Sequence, residues 1–177
     1  HLLSVIEEML AQFPFEILGF HADNGSEYVN HKVARLLDKL RIEFTRSRPR
    51  HSNDNGLAEA KNGAVVRKEF GYEHIHRRHA ARFDTYCREY LNPFLNFHRP
   101  CLFATELADP KKPGRIKRVY RPRDAMTPLD KLASLPEAAS YLRPGMTLLE
   151  LQQLARALTD VQAAEELNEA RQALFRR

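Results

Sequence analysis

The sequence predicts an α/β fold, in which a parallel or mixed sheet is flanked by helices and followed by a basic linker and an α-helical tail. Three observations carry that expectation. Helical and strand periodicities alternate through the first 45 residues; residues 104–126 are rich in Pro, Lys and Arg and poor in apolar spacing; and a leucine stripe runs from Leu148 to Leu174. The corresponding segments are 1–103 for the α/β portion, 104–126 for the linker and 127–177 for the helical appendage.

Leu2, Leu3, Ile6, Met9, Leu10 and Phe13 recur at helical spacing and mark one buried face of an opening helix. No capping Ser, Thr or Asp precedes it, so the chain reads as cut from a longer one. After Pro14, the run Phe15–Phe20 is bounded by Pro and by Asp-Asn-Gly and suits a buried strand whose end carries His21 and Asp23. A helix from about Asn30 to Leu40 follows, and 41–45 alternates as a second strand. Residues 46–56 are polar and turn-forming, a loop in which Ser52, Asn53, Asp54 or Asn55 can cap a helix opening near Leu57. Further helices are expected over about Ala80–Asn92, from Pro128 behind an N-cap at Thr127, and in one piece from Thr147 to Phe175.

At 177 residues and 20.5 kDa the chain supports one ordinary domain with an appendage. Hydrophobic residues make up 43%, charged residues 29%, and the mean hydropathy is −0.53, which excludes a long membrane span. No secretory leader is visible, so the cytoplasm is the expected compartment. Two cysteines, Cys87 and Cys101, make no disulfide framework and read as small core residues. The net charge of +5 is unevenly spread: residues 127–177 hold six basic against seven acidic side chains, leaving twenty-two against sixteen before them. The excess peaks at Lys111, Lys112, Arg115, Lys117, Arg118, Arg121 and Arg123, a run with no acid inside it. A polyanion is the partner that such a run suits, and DNA is the one expected here.

Chemistry is offered by Asp23 at a strand end and Glu59 at a helix start, 35 residues between them. Two carboxylates from different elements can hold Mg²⁺, and a pair of ions about 3.5–4 Å apart supports in-line displacement at a phosphodiester. The bland reading is a turn Asp and a helix-dipole Glu. Arg46, Arg48 and Arg50 would border the same cleft as phosphate contacts, or form a solvated loop.

Context favours the chemical reading. The string His21-Ala-Asp23-Asn-Gly-Ser-Glu-Tyr, then Phe44-Thr-Arg46-Ser-Arg48-Pro, then Asn53-Asp-Asn55-Gly-Leu-Ala-Glu59-Ala-Lys61-Asn62 resembles the catalytic core of retroviral-type integrases and insertion-sequence transposases. Residues 65–72 and Leu95–Pro100 look like later helices of bacterial members, so the resemblance spans roughly residues 1–132. It implies a ribonuclease H-like fold, here its C-terminal part, in which Asp23 and Glu59 are the second and third members of an Asp-Asp-Glu triad holding two Mg²⁺ or Mn²⁺ ions. It also makes Lys61 a DNA contact.

The first Asp of that triad belongs to an upstream strand, whereas the only acids before Asp23 are Glu7, Glu8 and Glu16. The resemblance therefore implies DNA cleavage and strand transfer for a complete parent, and a chain that is inactive alone. A non-catalytic DNA-binding or assembly module is the rival; a ribonuclease shares the fold but not the Asn53 to Asn62 signature. The leucine stripe of the tail must pack on its own domain or on a second copy, so a homo-oligomer is an expected partner and a membrane is not. A structural hydrogen bond is the ordinary role for His21, and His74, His76 and His79 lack metal-site spacing. Tyr28, Tyr72 and Phe97 read as core.

Overall fold

A computed structural model describes residues 2–22, 31–48, 54, 56–110, 112 and 114–176. The fold is mixed α/β, dominated by helices, with two-stranded sheets and a helical C-terminal tail. The chain divides into two compact units, His1–Ile75 and His76–Arg177. That division differs from the three segments expected, because residues 76–103 pack with the C-terminal helices and the basic segment between them is folded.

In the first unit, α1 (Leu2–Gln12) is followed by β1 (Gly19–Ala22), α2 (His31–Lys39) and β2 (Glu43–Arg46). The strands pair in parallel, Gly19 opposite Glu43 through Ala22 opposite Arg46, the arrangement that a strand–helix–strand crossover produces. Ile6 of α1, Val33 and Leu37 of α2 and Ile42 form the core, with both α2 residues at 0% exposure. Phe20 and Phe44 pack beside it, ring centroids 6.1 Å apart.

Both strands lie further along the chain than their composition suggested. Of the expected Phe15–Phe20 strand, only Gly19 and Phe20 join the β1–β2 ladder, while Ile17 packs on the core and the Phe15 ring lies tilted against Phe13, centroids 5.1 Å apart. Apolar composition there reports burial, and pairing is set by the four residues of β2. Arg41 does not begin a strand. Its φ of 56° closes α2 in a Schellman turn, with the Ile42 amide donating to the Leu37 carbonyl at 2.8 Å and the Arg41 amide to that of Asp38 at 2.9 Å. Beyond the loop, α3 (Gly56–Lys61) runs through a wide π-type turn, Asn62–Val66, into α4 (Arg67–Phe70).

The second unit opens on a short 3-10 turn and α5 (Ala80–Tyr86), then continues through π-type turns Cys87–Leu91 and Phe94–His98, past the expected end at Asn92. Pro93 adopts helical angles (φ −58°, ψ −47°). It brings no amide to the ladder, and wide turns flank it on either side. The Asn96 side chain donates to the Asn92 carbonyl at 2.8 Å. Cys87 and Cys101 are half-buried thiols rather than fully buried ones.

Residues 104–126 are not an extended linker. Strand β3 (Cys101–Leu102) pairs antiparallel with β6 (Ala125–Met126), and between them β4 (Thr105–Ala108) pairs antiparallel with β5 (Ile116–Val119). Gly114 at φ 80° makes the hairpin turn feasible. Charge density hid four-residue strands whose partners are equally short.

Three helices complete the unit: α6 (Pro128–Ala133), α7 (Leu148–Arg156) and α8 (Asp160–Phe175). The expected single helix over Thr147–Phe175 is thus two. Thr159 starts a new capping box with Gln162, its hydroxyl accepting from the Gln162 amide at 3.3 Å while the Gln162 side-chain oxygen accepts from the Thr159 amide at 2.9 Å. Leu129, Leu142 and Leu151 form one buried cluster with Phe97 against it. Helix α8 buries Ala163, Leu167 and Leu174 and packs on the 80–98 helix. Of the stripe, Leu151, Leu167 and Leu174 are buried within their own unit, whereas Leu154 and Val161 are exposed at 58% and 66%.

Candidate nucleic-acid interface

The candidate site gathers at the carboxyl ends of β1 and β2, which the parallel pairing brings to one edge. Asp23 follows Ala22 directly in sequence but lies outside the described residues, as does Arg50. Glu59 is exposed in the first turn of α3, where the helix N-terminus favours a carboxylate. Lys61 is the last residue of α3. Arg46 ends β2 and is exposed, so it belongs to the strand rather than to the loop.

His21 is held structurally. Its Nδ1 lies 2.8 Å from the Thr45 hydroxyl and its Nε2 3.1 Å from that of buried Ser47, so both ring nitrogens are engaged by the neighbouring strand. Arg48 is committed as well. Its Nε and terminal nitrogen donate to the two carboxylate oxygens of Asp54 at 3.0 and 2.9 Å, and its backbone amide donates to the same group at 3.0 Å. Hydrogen bonding to Asp54, reinforced by its charge, raises the Arg48 pKa. The fork–fork geometry ties Arg48 to Asp54 ahead of α3.

Among the described residues, no group of three or more His, Cys, Asp or Glu side chains is placed to hold a metal ion. Glu59 is the one described member of the expected ligand pair. Mg²⁺ takes octahedral oxygen coordination, so the described donors do not fit a metal site by themselves.

The basic run of residues 111–123 is divided by the hairpin. Lys112, Arg115 and Lys117 are exposed at and beside its tip. Arg118, opposite Glu106 in the ladder, donates to that carboxylate through Nε at 3.2 Å. Arg121 is half-buried, Arg123 lies 3.8 Å from Asp124, and Lys111 is outside the described residues. Sequence reasoning missed the neutralising role of Glu106, because cross-strand neighbours are invisible until a register is assigned. It also missed the pair formed by buried His98 and Asp160, 3.0 Å apart, which ties the end of the 80–98 helix to the first turn of α8.

Tyr72 corrects the expectation of a core residue: it is 83% exposed, with the Arg67 guanidinium 5.3 Å from its ring centroid. Phe97 is packed as expected and Tyr28 lies outside the described residues. No helix among the described residues is long and apolar enough to cross a membrane.

Against known proteins, the chain is 36% identical over 70 residues to the uncharacterized protein y4rM of Sinorhizobium fredii (strain NBRC 101917 / NGR234), a match covering 40% of this chain and 20% of that protein. The chain thus spans about one fifth of the relative's length. No family model matches, and no solved structure matches.

Proposed function

We propose that this chain is part of a DNA-recombining core of the transposase and integrase type, with a ribonuclease H-like arrangement, and that its own activity is to bind DNA. The supporting observation is the parallel β1–α2–β2 unit followed by a helix with Glu59 in its first turn. In α/β sheets, ligands gather beyond the carboxyl ends of the strands. There the sequence places Asp23 after β1 and Arg46 at the end of β2. In a complete catalytic core, Asp23 and Glu59 would be Mg²⁺ or Mn²⁺ ligands and Lys61 a DNA contact. The metal enters through the motif resemblance alone, and no catalytic step is assigned to these 177 residues. The cytoplasm remains the proposed compartment. A non-catalytic DNA-binding or assembly role is the second reading, favoured by the exposed basic side chains Lys112, Arg115, Lys117, Arg118 and Arg123.

Incubating the 177-residue chain with end-labelled duplex DNA and Mg²⁺ or Mn²⁺ tests the proposal. Retarded DNA without nicking or strand transfer is expected, since losing a ligand and misplacing reacting groups by about 1 Å costs well over 10²-fold. Cleavage abolished by Asp23→Asn or Glu59→Gln would show that these residues complete a site and would overturn the assignment of inactivity. Failure to bind duplex at low salt overturns the DNA reading itself.

A further inference from the structure

We propose that the β4–β5 hairpin is a two-stranded ribbon that enters the major groove of duplex DNA, with Lys112, Arg115 and Lys117 on phosphates and the Glu106–Arg118 pair setting how much charge the ribbon presents. The inference deepens the DNA-binding reading and rests on it.

The hairpin contributes little to its own unit's core. Register places Leu107 and Lys117 on one face and Glu106, Ala108, Ile116 and Arg118 on the other, and all six are exposed, Ile116 at 63%. A lone two-stranded hairpin is marginal in water. This one is pinned where the chain enters and leaves it, by the β3–β6 pairing and by the Thr105 hydroxyl, which donates to Asp124 at 3.2 Å. A ribbon anchored at its base with both faces open is built to contact something else.

Charge and shape select the occupant. Residues 105–119 hold five basic side chains against Glu106 and Asp109. Strands about 4.8 Å apart form a ribbon that fits the B-form major groove, about 12 Å wide, whereas the A-form RNA groove is too narrow and deep for side chains to read. Lys117 faces Leu107 across the ladder, so no acid stands opposite it, while Arg118 faces Glu106. The Arg118–Glu106 pair is exposed and correspondingly weak. A phosphate can therefore compete for Arg118, and Glu106 acts as a built-in counterion whose removal frees a further cation beside Lys112, Arg115 and Lys117.

The test measures binding of the full chain to a 20-base-pair duplex across a salt series. Each phosphate neutralised contributes about −0.9 to the slope of log affinity against log salt. Arg115→Gln with Lys117→Gln is expected to flatten the slope by about 2, and Glu106→Gln to steepen it by about 1 and tighten binding at every salt. All three positions are exposed, and circular dichroism should be unchanged. Duplex binding with a slope that neither variant moves overturns the ribbon and leaves the DNA reading standing. Tighter binding of an RNA duplex of equal length overturns the choice of occupant. No binding of the wild-type chain to DNA at any salt overturns the ribbon together with the reading beneath it.

Discussion

Residues 1–75 enclose their core with Ile6, Val33, Leu37 and Ile42 on a single parallel strand pair, whereas residues 76–177 distribute burial over several helices whose starts are fixed by local hydrogen bonds. Capping boxes at Thr127, Thr147 and Thr159 each satisfy amides that a helix start would otherwise leave open. The first unit depends instead on a few fully enclosed aliphatic side chains. The difference concerns function as well as stability, since the candidate carboxylates belong to the first unit. A site at strand ends is only as well fixed as the sheet beneath it.

The sharpest way to break the comparison is to remove α8. Leu167 and Leu174 are each worth about 1.5–3 kcal/mol of burial, and their loss uncovers buried Tyr86 of the 80–98 helix, which lies beside Leu174. Arg82 also loses its acceptors, the Ala173 and Leu174 carbonyls at 3.2 and 3.1 Å, and Phe83 its edge contact with Phe175. The sum, above about 4 kcal/mol, rivals the whole stability of a small domain. A chain ending at Thr159 is expected to lose the cooperative thermal transition of its second unit, followed by circular dichroism, and to associate through the exposed face in light scattering. A soluble, cooperatively melting product would show that α8 is an appendage after all.

A smaller effect sharpens the contrast from the other side. Leu37→Ala removes a side chain at 0% exposure from a core of four, at an expected cost of about 3–5 kcal/mol; Leu151→Ala, at 2% exposure beside Leu129 and Leu142, is expected toward about 2–4 kcal/mol. Hydrogen exchange distinguishes the two by where protection is lost: α2 with β1 and β2 for Leu37, α6 and α7 for Leu151. Equal loss across both units from either change would contradict the division at Ile75.

What was legible in the sequence follows the same line. Thr127-Pro128 announces α6, and the 3.6-residue periodicities of α1 and α2 place their buried faces, because both signals are local. The break at Thr159 was masked: Leu158 and Val161 continue the apolar pattern across it, yet Val161 is 66% exposed and only the Thr159-to-Gln162 spacing records the new start. The hairpin failed to register for a related reason. Its second strand carries Lys117 and Arg118 at adjacent positions, so charge falls on both faces and hides the alternation, although Pro113-Gly114 stood between the strands as a turn signal. Of the candidate site, the order of strand, carboxylate and helix was readable; the commitment of Arg48 to Asp54 was not, because a side-chain pair closing a polar loop leaves no periodic trace.

The smallest expected effect separates one capping box from another. In the Thr147 box the Glu150 carboxylate accepts from the Thr147 hydroxyl at 2.7 Å and from its amide at 2.9 Å, and these bonds, the hydroxyl first, hold its pKa below the ordinary carboxylate value. A pKa depressed in the folded state means stability that is present above the unfolded value and is lost as pH falls through the folded one. The Thr159 box has the same geometry with the neutral amide of Gln162, at 2.9 Å to both donors, and nothing in it titrates. Glu150→Gln is therefore expected to lower stability near neutrality and to make the acid limb shallower, so that variant and parent converge as pH falls from neutrality through the ordinary carboxylate range. Thr159→Ala is expected to cost about 1 kcal/mol at every pH across that range. Urea unfolding of both variants at several pH values checks the pair. If Glu150→Gln lowers stability equally at neutral and acid pH, the carboxylate's charge contributes nothing to the cap, and the two boxes are held by geometry alone.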